Sequence, residues 1–279
     1  CDEPVEIKAF EKDCWALAYS PDGKHLVSLA IGQHPLKVWN AADGKLAWEA
    51  EKAGNSNLCF SPDGKQIAVG AWGKLRLYDA ETGKHVRDIT PSVATGVTGV
   101  SFSPDASLLA ISLKEQHVVD VIKVDSGERL VTLTAPMEKP AKGTGGISRV
   151  AFSPDGKSLV AACGGRGWPD FVGEDSVIGV WDVKTWKLRT SFTASTHNVN
   201  SLAISPDSKL IAASCHRAQE VKLWRMPAAV EKPEPAVIAD LVKQLDSDDF
   251  GQREAAQRKL RLIGEPARTQ LTKALDGDS

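Results

Sequence analysis

Phe152-Ser-Pro-Asp-Gly-Lys157 is followed by the short apolar run Ser158-Leu-Val-Ala-Ala162, and this arrangement recurs along the chain. The other copies are Tyr19-Ser-Pro-Asp-Gly-Lys24, Phe60-Ser-Pro-Asp-Gly-Lys65, Phe102-Ser-Pro-Asp-Ala-Ser107 and Ile204-Ser-Pro-Asp-Ser-Lys209. Successive copies lie 41, 42, 50 and 52 residues apart. The phrase has a mechanical reading as a type I turn. Pro sets φ at the second position, the Ser and Asp side chains bond nearby backbone, and Gly tolerates the exit geometry. An apolar residue ends the strand before each turn, and an apolar strand such as His25-Leu-Val-Ser-Leu29 or Leu108-Leu-Ala-Ile-Ser112 follows it.

Each repeat then continues in the same order. A third strand rich in β formers is read in Leu36-Lys-Val-Trp39, Leu75-Arg-Leu-Tyr78, Ile178-Gly-Val-Trp181 and Val221-Lys-Leu-Trp224. A second turn follows, as in Ala80-Glu-Thr-Gly-Lys84, and then a fourth strand, as in Leu130-Val-Thr132. Four antiparallel strands per unit of about 40–45 residues make one blade of a β-propeller. The fold class expected is therefore an all-β propeller of five four-stranded blades with a small α-helical C-terminal segment.

On these residues the chain resembles the WD-repeat family, in a degenerate, bacterial form. Trp181-Asp182 is the dipeptide that names the family; Trp39-Asn40, Tyr78-Asp79 and Trp224-Arg225 depart from it, and Ile122-Lys123 has lost it. The resemblance covers roughly residues 5–226 and implies a scaffold that binds proteins. Seven blades are usual in that family, and five repeats are visible here. Val5-Glu-Ile-Lys-Ala-Phe10 reads as a fourth strand without a blade of its own, and the last repeat stops after its third strand. The first segment is therefore expected to complete the last blade and close a five-blade ring, with an open arc as the alternative.

The predicted organisation is a propeller over 1–226, a Pro- and charge-rich linker over 227–235, and a HEAT-like helical repeat over 236–279. Past the linker the apolar period changes from 2 to 3.6, with Ile238, Leu241, Val242 and Leu245 on one face. Asp249 and Gln252 have the spacing of a capping box ahead of a second helix striped by Ala256, Leu260 and Ile263. Pro266 opens a third helix. Leu241-Val-Lys-Gln-Leu-Asp246 returns thirty residues later as Leu271-Thr-Lys-Ala-Leu-Asp276.

Composition narrows the function classes. The chain has 279 residues with 34 basic and 36 acidic side chains and a net charge of −2, so nothing draws it to nucleic acid. No apolar run approaches the roughly 18 residues of a membrane span. The five cysteines, Cys1, Cys14, Cys59, Cys163 and Cys215, are an odd set without close pairs, which fits neither a disulfide framework nor a zinc site. Cys1 has two readings: an arbitrary fragment end, or the lipid-bearing residue of a mature bacterial lipoprotein. The compartment stays open between cytoplasm and bacterial envelope, where propellers of the Tol system carry similar Ser-Pro-Asp-Gly repeats.

The search for chemistry gives no catalytic group, metal site or cofactor. Gly156-Lys157-Ser158 resembles the end of a phosphate loop, but Ala151 stands where that motif needs Gly and the stretch is the recurrent hairpin turn. The six histidines show no ligand spacing; His34, His117 and His216 fall at the loops between second and third strands. The fourth repeat carries the anomaly, an enlarged loop Gly164-Gly-Arg-Gly-Trp-Pro-Asp-Phe-Val-Gly-Glu-Asp175. Arg166, Trp168, Asp170, Phe171, Glu174 and Asp175 form the candidate binding patch, with Trp72 at the matching loop of the second repeat. Exposed Trp and Arg suit a protein-binding hot spot. The expectation is a non-enzymatic interaction scaffold with an unidentified protein partner. The alternatives are a propeller enzyme or small-ligand binder using the central opening, and a lipid-anchored envelope propeller.

Overall fold

In the computed structural model, the described residues are 6–10, 14–30, 34–54, 57–93, 95–113, 117–136, 147–163, 176–195, 199–215, 220–227 and 235–263. They divide into two compact units, Cys1–Pro227 and Ala228–Ser279.

The first unit is an array of antiparallel sheets, each built from consecutive strands. Blade 1 holds β1 (Cys14–Tyr19), β2 (His25–Ala30), β3 (His34–Asn40) and β4 (Leu46–Gly54). Blade 2 holds β5 (Leu58–Phe60), β6 (Gln66–Ala71), β7 (Lys74–Asp79) and β8 (His85–Ile89). Blade 3 holds β9 (Val97–Phe102), β10 (Leu108–Leu113), β11 (Val118–Lys123) and β12 (Arg129–Thr134). Blade 4 holds β13 (Ile147–Phe152), β14 (Ser158–Cys163), β15 (Ser176–Asp182) and β16 (Leu188–Ser195). Blade 5 holds β17 (Val199–Ile204), β18 (Leu210–Cys215) and β19 (Val221–Arg225). Among the described residues, four of the five expected blades have four strands and the last has three.

The turn phrase folds as its chemistry dictates. In each copy the Ser hydroxyl donates to the Asp carboxylate two residues on, at 2.5–2.6 Å. The same hydroxyl oxygen accepts the amide five residues on, at 2.9 Å, which starts the second strand. The fifth position of the phrase lies in the left-handed region in all five copies: Gly23, Gly64 and Gly156, but also Ala106 (φ 59°) and Ser208 (φ 58°). Position in the turn, not residue type, sets this backbone conformation. Non-glycine residues there carry strain of about 1–2 kcal/mol.

The core lies between blades. Alternate residues of a strand face opposite neighbours, and four apolar clusters each join two adjacent blades. Val27, Leu29, Leu36 and Val38 of blade 1 meet Leu58, Ile67 and Val69 of blade 2. Ala68, Leu75 and Leu77 meet Val100, Phe102 and Ile111. Ala110, Val119 and Val121 meet Val150, Phe152 and Trp181. Val160, Ala162, Ile178 and Val180 meet Val199, Ile211 and Ala213.

Ring closure is not shown. The described segment 6–10 carries no strand. It lies on blade 1, where Lys37 Nζ donates to the Ala9 carbonyl at 3.0 Å and stands 5.3 Å from the Phe10 ring centroid.

The second unit holds α1 (Pro235–Lys243), a 3₁₀ turn over Gln244–Asp246, and α2 (Phe250–Ile263). Leu241, Ala256 and Leu260 are buried together, with Val242 and Leu245 against them. Asp249 caps α2 by accepting the Gly251 and Gln252 amides at 2.7 and 3.1 Å. The expected reciprocal half of the capping box is replaced: Gln252 Oε1 accepts the Ser247 hydroxyl at 2.9 Å. The third helix from Pro266 lies outside the described residues.

Candidate binding surface

A propeller blade has two ends. The Ser-Pro-Asp turns sit at one end; the connections between second and third strands sit at the other. Trp72 stands on the second kind of end, between β6 and β7, where it bridges to Gly96 ahead of β9. It is 64% exposed. Gly73 follows in the left-handed region (φ 72°) and donates its amide to Thr95 at 3.0 Å. An indole is thus held out from a backbone fixed by two blades. Burial of such a ring by a partner contributes about 1.5–3 kcal/mol or more.

Arg166, Trp168, Asp170, Phe171, Glu174 and Asp175 lie outside the described residues. The flanks of their loop are described. Cys163 and Val177 are paired at the end of the β14–β15 ladder, the same end at which Ala71 and Lys74 close the β6–β7 ladder in blade 2. His117, at the corresponding place in blade 3, is buried and its carbonyl accepts the Ala135 amide at 2.7 Å. His216 and the His34 side chain lie outside the described set.

Two acidic groups on the blades, Asp182 and Asp88, are engaged in structure. Asp182, the acid of the Trp-Asp pair, meets the buried Arg189 guanidinium at 2.5 Å and accepts the Thr185 amide at 2.8 Å. Burial works against its ionisation, but these hydrogen bonds outweigh it and hold the carboxyl below the usual range. Arg189 also donates to the Ser158 hydroxyl and the Lys157 carbonyl, both at 2.9 Å. Trp181 itself is buried against blade 3.

A hollow of about 400 Å³ along blade 2 is lined by Glu51, Arg76, Tyr78, His85 and Asp88. There Asp88 takes Lys74 at 2.6 Å and His85 Nε2 at 2.8 Å. Its acidity is tied up in these contacts, which depress its pKa against the opposing effect of burial. A second hollow of about 430 Å³ lies between the first two Ser-Pro-Asp turns, beside Asp22, His25, Asp63 and Glu81. Gly156 and Lys157 occupy a hairpin turn, with the Gly156 amide on the Ser153 carbonyl at 2.9 Å; no helix follows to form a phosphate cradle.

Cys163 and Cys215 are buried free thiols, as Cys59 and the exposed Cys14 are also free. Burial pushes the Cys59 thiol up to about 12 and raises Cys163 further. Among the described residues no group of three His, Cys, Asp or Glu side chains is placed to hold a metal. No described helix is long and apolar enough to cross a membrane.

Sequence reasoning missed one recurrent feature. Two positions before Trp39, Ile122 and Trp224 of the third strands a polar side chain makes a contact outside its own sheet, in blades 3 and 5 with the outer part of the preceding blade. Lys37 bonds Ala9, Asp120 accepts the Ser92 amide at 2.6 Å, and Lys222 Nζ donates to the Ala194 carbonyl at 2.9 Å. The signal was present: each is a polar residue inside an otherwise apolar strand.

The comparisons with known proteins agree with this geometry. The WD domain, G-beta repeat family matches residues 56–79, 132–182 and 186–225. THO complex subunit 3 of Arabidopsis thaliana is 24% identical over 212 residues, covering 75% of this chain and 61% of that protein. The Protein LST8 homolog of Drosophila melanogaster is 25% identical over 196 residues, covering 67% and 58%. The chain thus spans less than two thirds of these relatives. A solved structure of Kuenenia stuttgartiensis hydrazine synthase superposes with a TM-score of 0.62 at 21% identity, over 75% of this chain and 59% of that one, a likeness of fold alone.

Proposed function

From WD-repeat matches over residues 56–79, 132–182 and 186–225, we propose that the chain is a WD-repeat scaffold without catalytic activity, one that binds protein partners at the loop end of its blades. The observation that carries this reading is Trp72, a large apolar ring held exposed by a backbone that two blades immobilise. Rigid blades with variable loops concentrate binding residues at the loop end. In this reading Trp72 shares the surface with Arg166, Trp168, Asp170, Phe171, Glu174 and Asp175, because their loop leaves blade 4 from the corresponding ladder end. The polar clusters that could serve chemistry are already spent on internal bonds, as at Asp88 and Asp182. The helical unit, with its HEAT-like recurrence, adds a second surface, since helical repeats present extended binding faces.

The test is affinity capture from native extract with wild type, Trp72→Ala and Trp168→Ala side by side, read by mass spectrometry. The expected result is a partner recovered by wild type and lost with either variant, while thermal unfolding stays unchanged. Equal recovery by all three forms overturns the assignment of this surface.

A further inference from the structure

The first strands of adjacent blades meet one another, so that β1, β5, β9, β13 and β17 stand side by side along the array. They read Cys14-Trp-Ala-Leu-Ala-Tyr19, Leu58-Cys-Phe60, Val97-Thr-Gly-Val-Ser-Phe102, Ile147-Ser-Arg-Val-Ala-Phe152 and Val199-Asn-Ser-Leu-Ala-Ile204. Arg149 is the one charged residue in these five strands. Counted back from the residue that ends each strand, its place is taken in the other blades by Ala16, Asn57, Gly99 and Ser201.

Arg149 belongs to the loop end of its blade. It stands near the start of β13, opposite Ala162, and an extra residue bulges the strand between Ile147 and Arg149. A bulge re-aims the side chains around it. Arg149 Nη1 donates to the Ser148 carbonyl at 2.7 Å and crosses to blade 3 to donate to the Thr98 carbonyl at 3.3 Å. Asn57 Nδ2, just ahead of β5 in blade 2, donates to the same carbonyl at 3.4 Å. Thr98 lies two residues after Gly96, the partner of Trp72. Three blades thus meet around Thr98, at the end where the Trp72 ring is exposed.

The donors left over define what fits there. A guanidinium carries five N–H donors. Both bonds of Arg149 use Nη1, so among the described residues Nε–H and the Nη2–H groups have no partner. Neither nitrogen is sealed from solvent. Both acceptors in hand are neutral carbonyls. Burial depresses the pKa of Arg149, and among the described residues no carboxylate opposes it. The parallel Nε–H and Nη2–H form the side-on fork that takes the two oxygens of an oxyanion. Phosphorylated side chains are taken by clusters of arginines. Arg149 stands alone among Asn57, Thr98 and Ser148, which suits the single charge of a carboxylate.

We propose that Arg149 anchors one carboxylate of the protein partner, an Asp or Glu side chain, at the loop end of the first strands. The proposal rests on the loop-end binding surface and gives its partner an acidic residue. The free edge of the guanidinium grips the carboxylate, while the Ser148 and Thr98 carbonyls hold Nη1 in place. A side chain fixed before binding loses little rotamer freedom when the partner arrives.

The experiment follows the Arg149 Nε–H signal by NMR in the intact chain, labelled with nitrogen-15 at arginine. The signal is assigned by its loss in Arg149→Lys, or, if that variant does not fold, by its proximity to Thr98 and Ser148. The probes are acetyl-Gly-Glu-Gly-amide, its Gln counterpart and its phosphoserine counterpart, at constant ionic strength. The expected result is a saturable shift with the Glu peptide and none with the Gln peptide. Asn57→Asp places a competing carboxylate on the Thr98 carbonyl that Arg149 shares, and should weaken the Glu response about tenfold or more. No shift with the Glu peptide up to its solubility limit overturns the proposal. Equal shifts with the Glu and Gln peptides, tighter binding of the phosphoserine peptide, or an undiminished response in folded Asn57→Asp do the same. If partner capture depends on Trp72 while the Arg149 signal stays silent, the loop-end surface stands and its acidic anchor falls.

Discussion

The Asp155 amide donates to the Ser208 hydroxyl across 3.0 Å, tying the Ser-Pro-Asp turn of blade 4 to that of blade 5. Ser208 stands where three of the other turns have glycine, in the left-handed region. Its hydroxyl offsets the strain with a bond to the preceding blade. Ala106, strained in the same way, has no hydroxyl to offer. Ala106→Gly should therefore stabilise the unit by up to about 1 kcal/mol, the αL strain less the entropy of glycine. Ser208→Gly should give no gain, because relief of strain is cancelled by a lost hydrogen bond of similar size. Urea midpoints of the two variants against wild type check the contrast.

The Asp182–Arg189 pair should behave as a buried anchor. Arg189 joins the end of β15 to the start of β14 through four hydrogen bonds to Asp182, Ser158 and Lys157. Removing the guanidinium leaves a carboxylate with fewer partners, at a cost of about 3 kcal/mol. Arg189→Met should lower the denaturant midpoint accordingly, and the loss should persist at high salt because screening acts weakly on a buried pair. Asp182→Asn should cost less, since its oxygen still caps the Thr185 amide.

Acid should loosen the turns together. The hydroxyls of Ser20, Ser61, Ser103 and Ser205 are the main cause that holds Asp22, Asp63, Asp105 and Asp207 below the usual range. At Asp155 partial burial opposes this, but the Ser153 hydroxyl and the Lys157 amide prevail. A carboxyl depressed in the folded state contributes stability above its unfolded value of about 3.9 and loses it as pH falls through the folded value. Ser103→Ala should cost about 1–3 kcal/mol at neutral pH. Its deficit against wild type should shrink below about pH 4, as Asp105 takes a proton in both forms. A deficit that does not change with pH in urea titrations means that the Ser–Asp bond is not what couples the turn to acid.

What could be read from the chain in advance was what is local. Each Ser-Pro-Asp phrase dictates its own turn, and the runs after it, such as Ser158–Cys163, alternate between neighbours because strands have a period of two. The left-handed backbone at Ala106, Ser208 and Trp186 was not legible, because tertiary context imposes it against residue preference. Trp186, with a φ of 56°, is partly buried against the cluster between blades 3 and 4, which offsets its strain. The phase of Val5–Phe10 was legible as an unattached outer segment, but not that its described part would lie on blade 1 through Lys37. Of the candidate surface, Trp72 was recognised from its loop position, while the six residues in 164–175 belong to a stretch without the repeat pattern that locates everything else.

The placement of the core between blades also sets the order in which the structure opens. Among the described residues, blades 2, 3 and 4 each have apolar clusters on both sides, whereas blade 5 and blade 1 each have one. In an array with only nearest-neighbour contacts, local opening is cheapest at the ends. Amide hydrogens of β10 and β11 in blade 3 should exchange with deuterium most slowly, and those of β17 to β19 fastest, so the molecule frays from its terminal sheets inward and not as a single cooperative block.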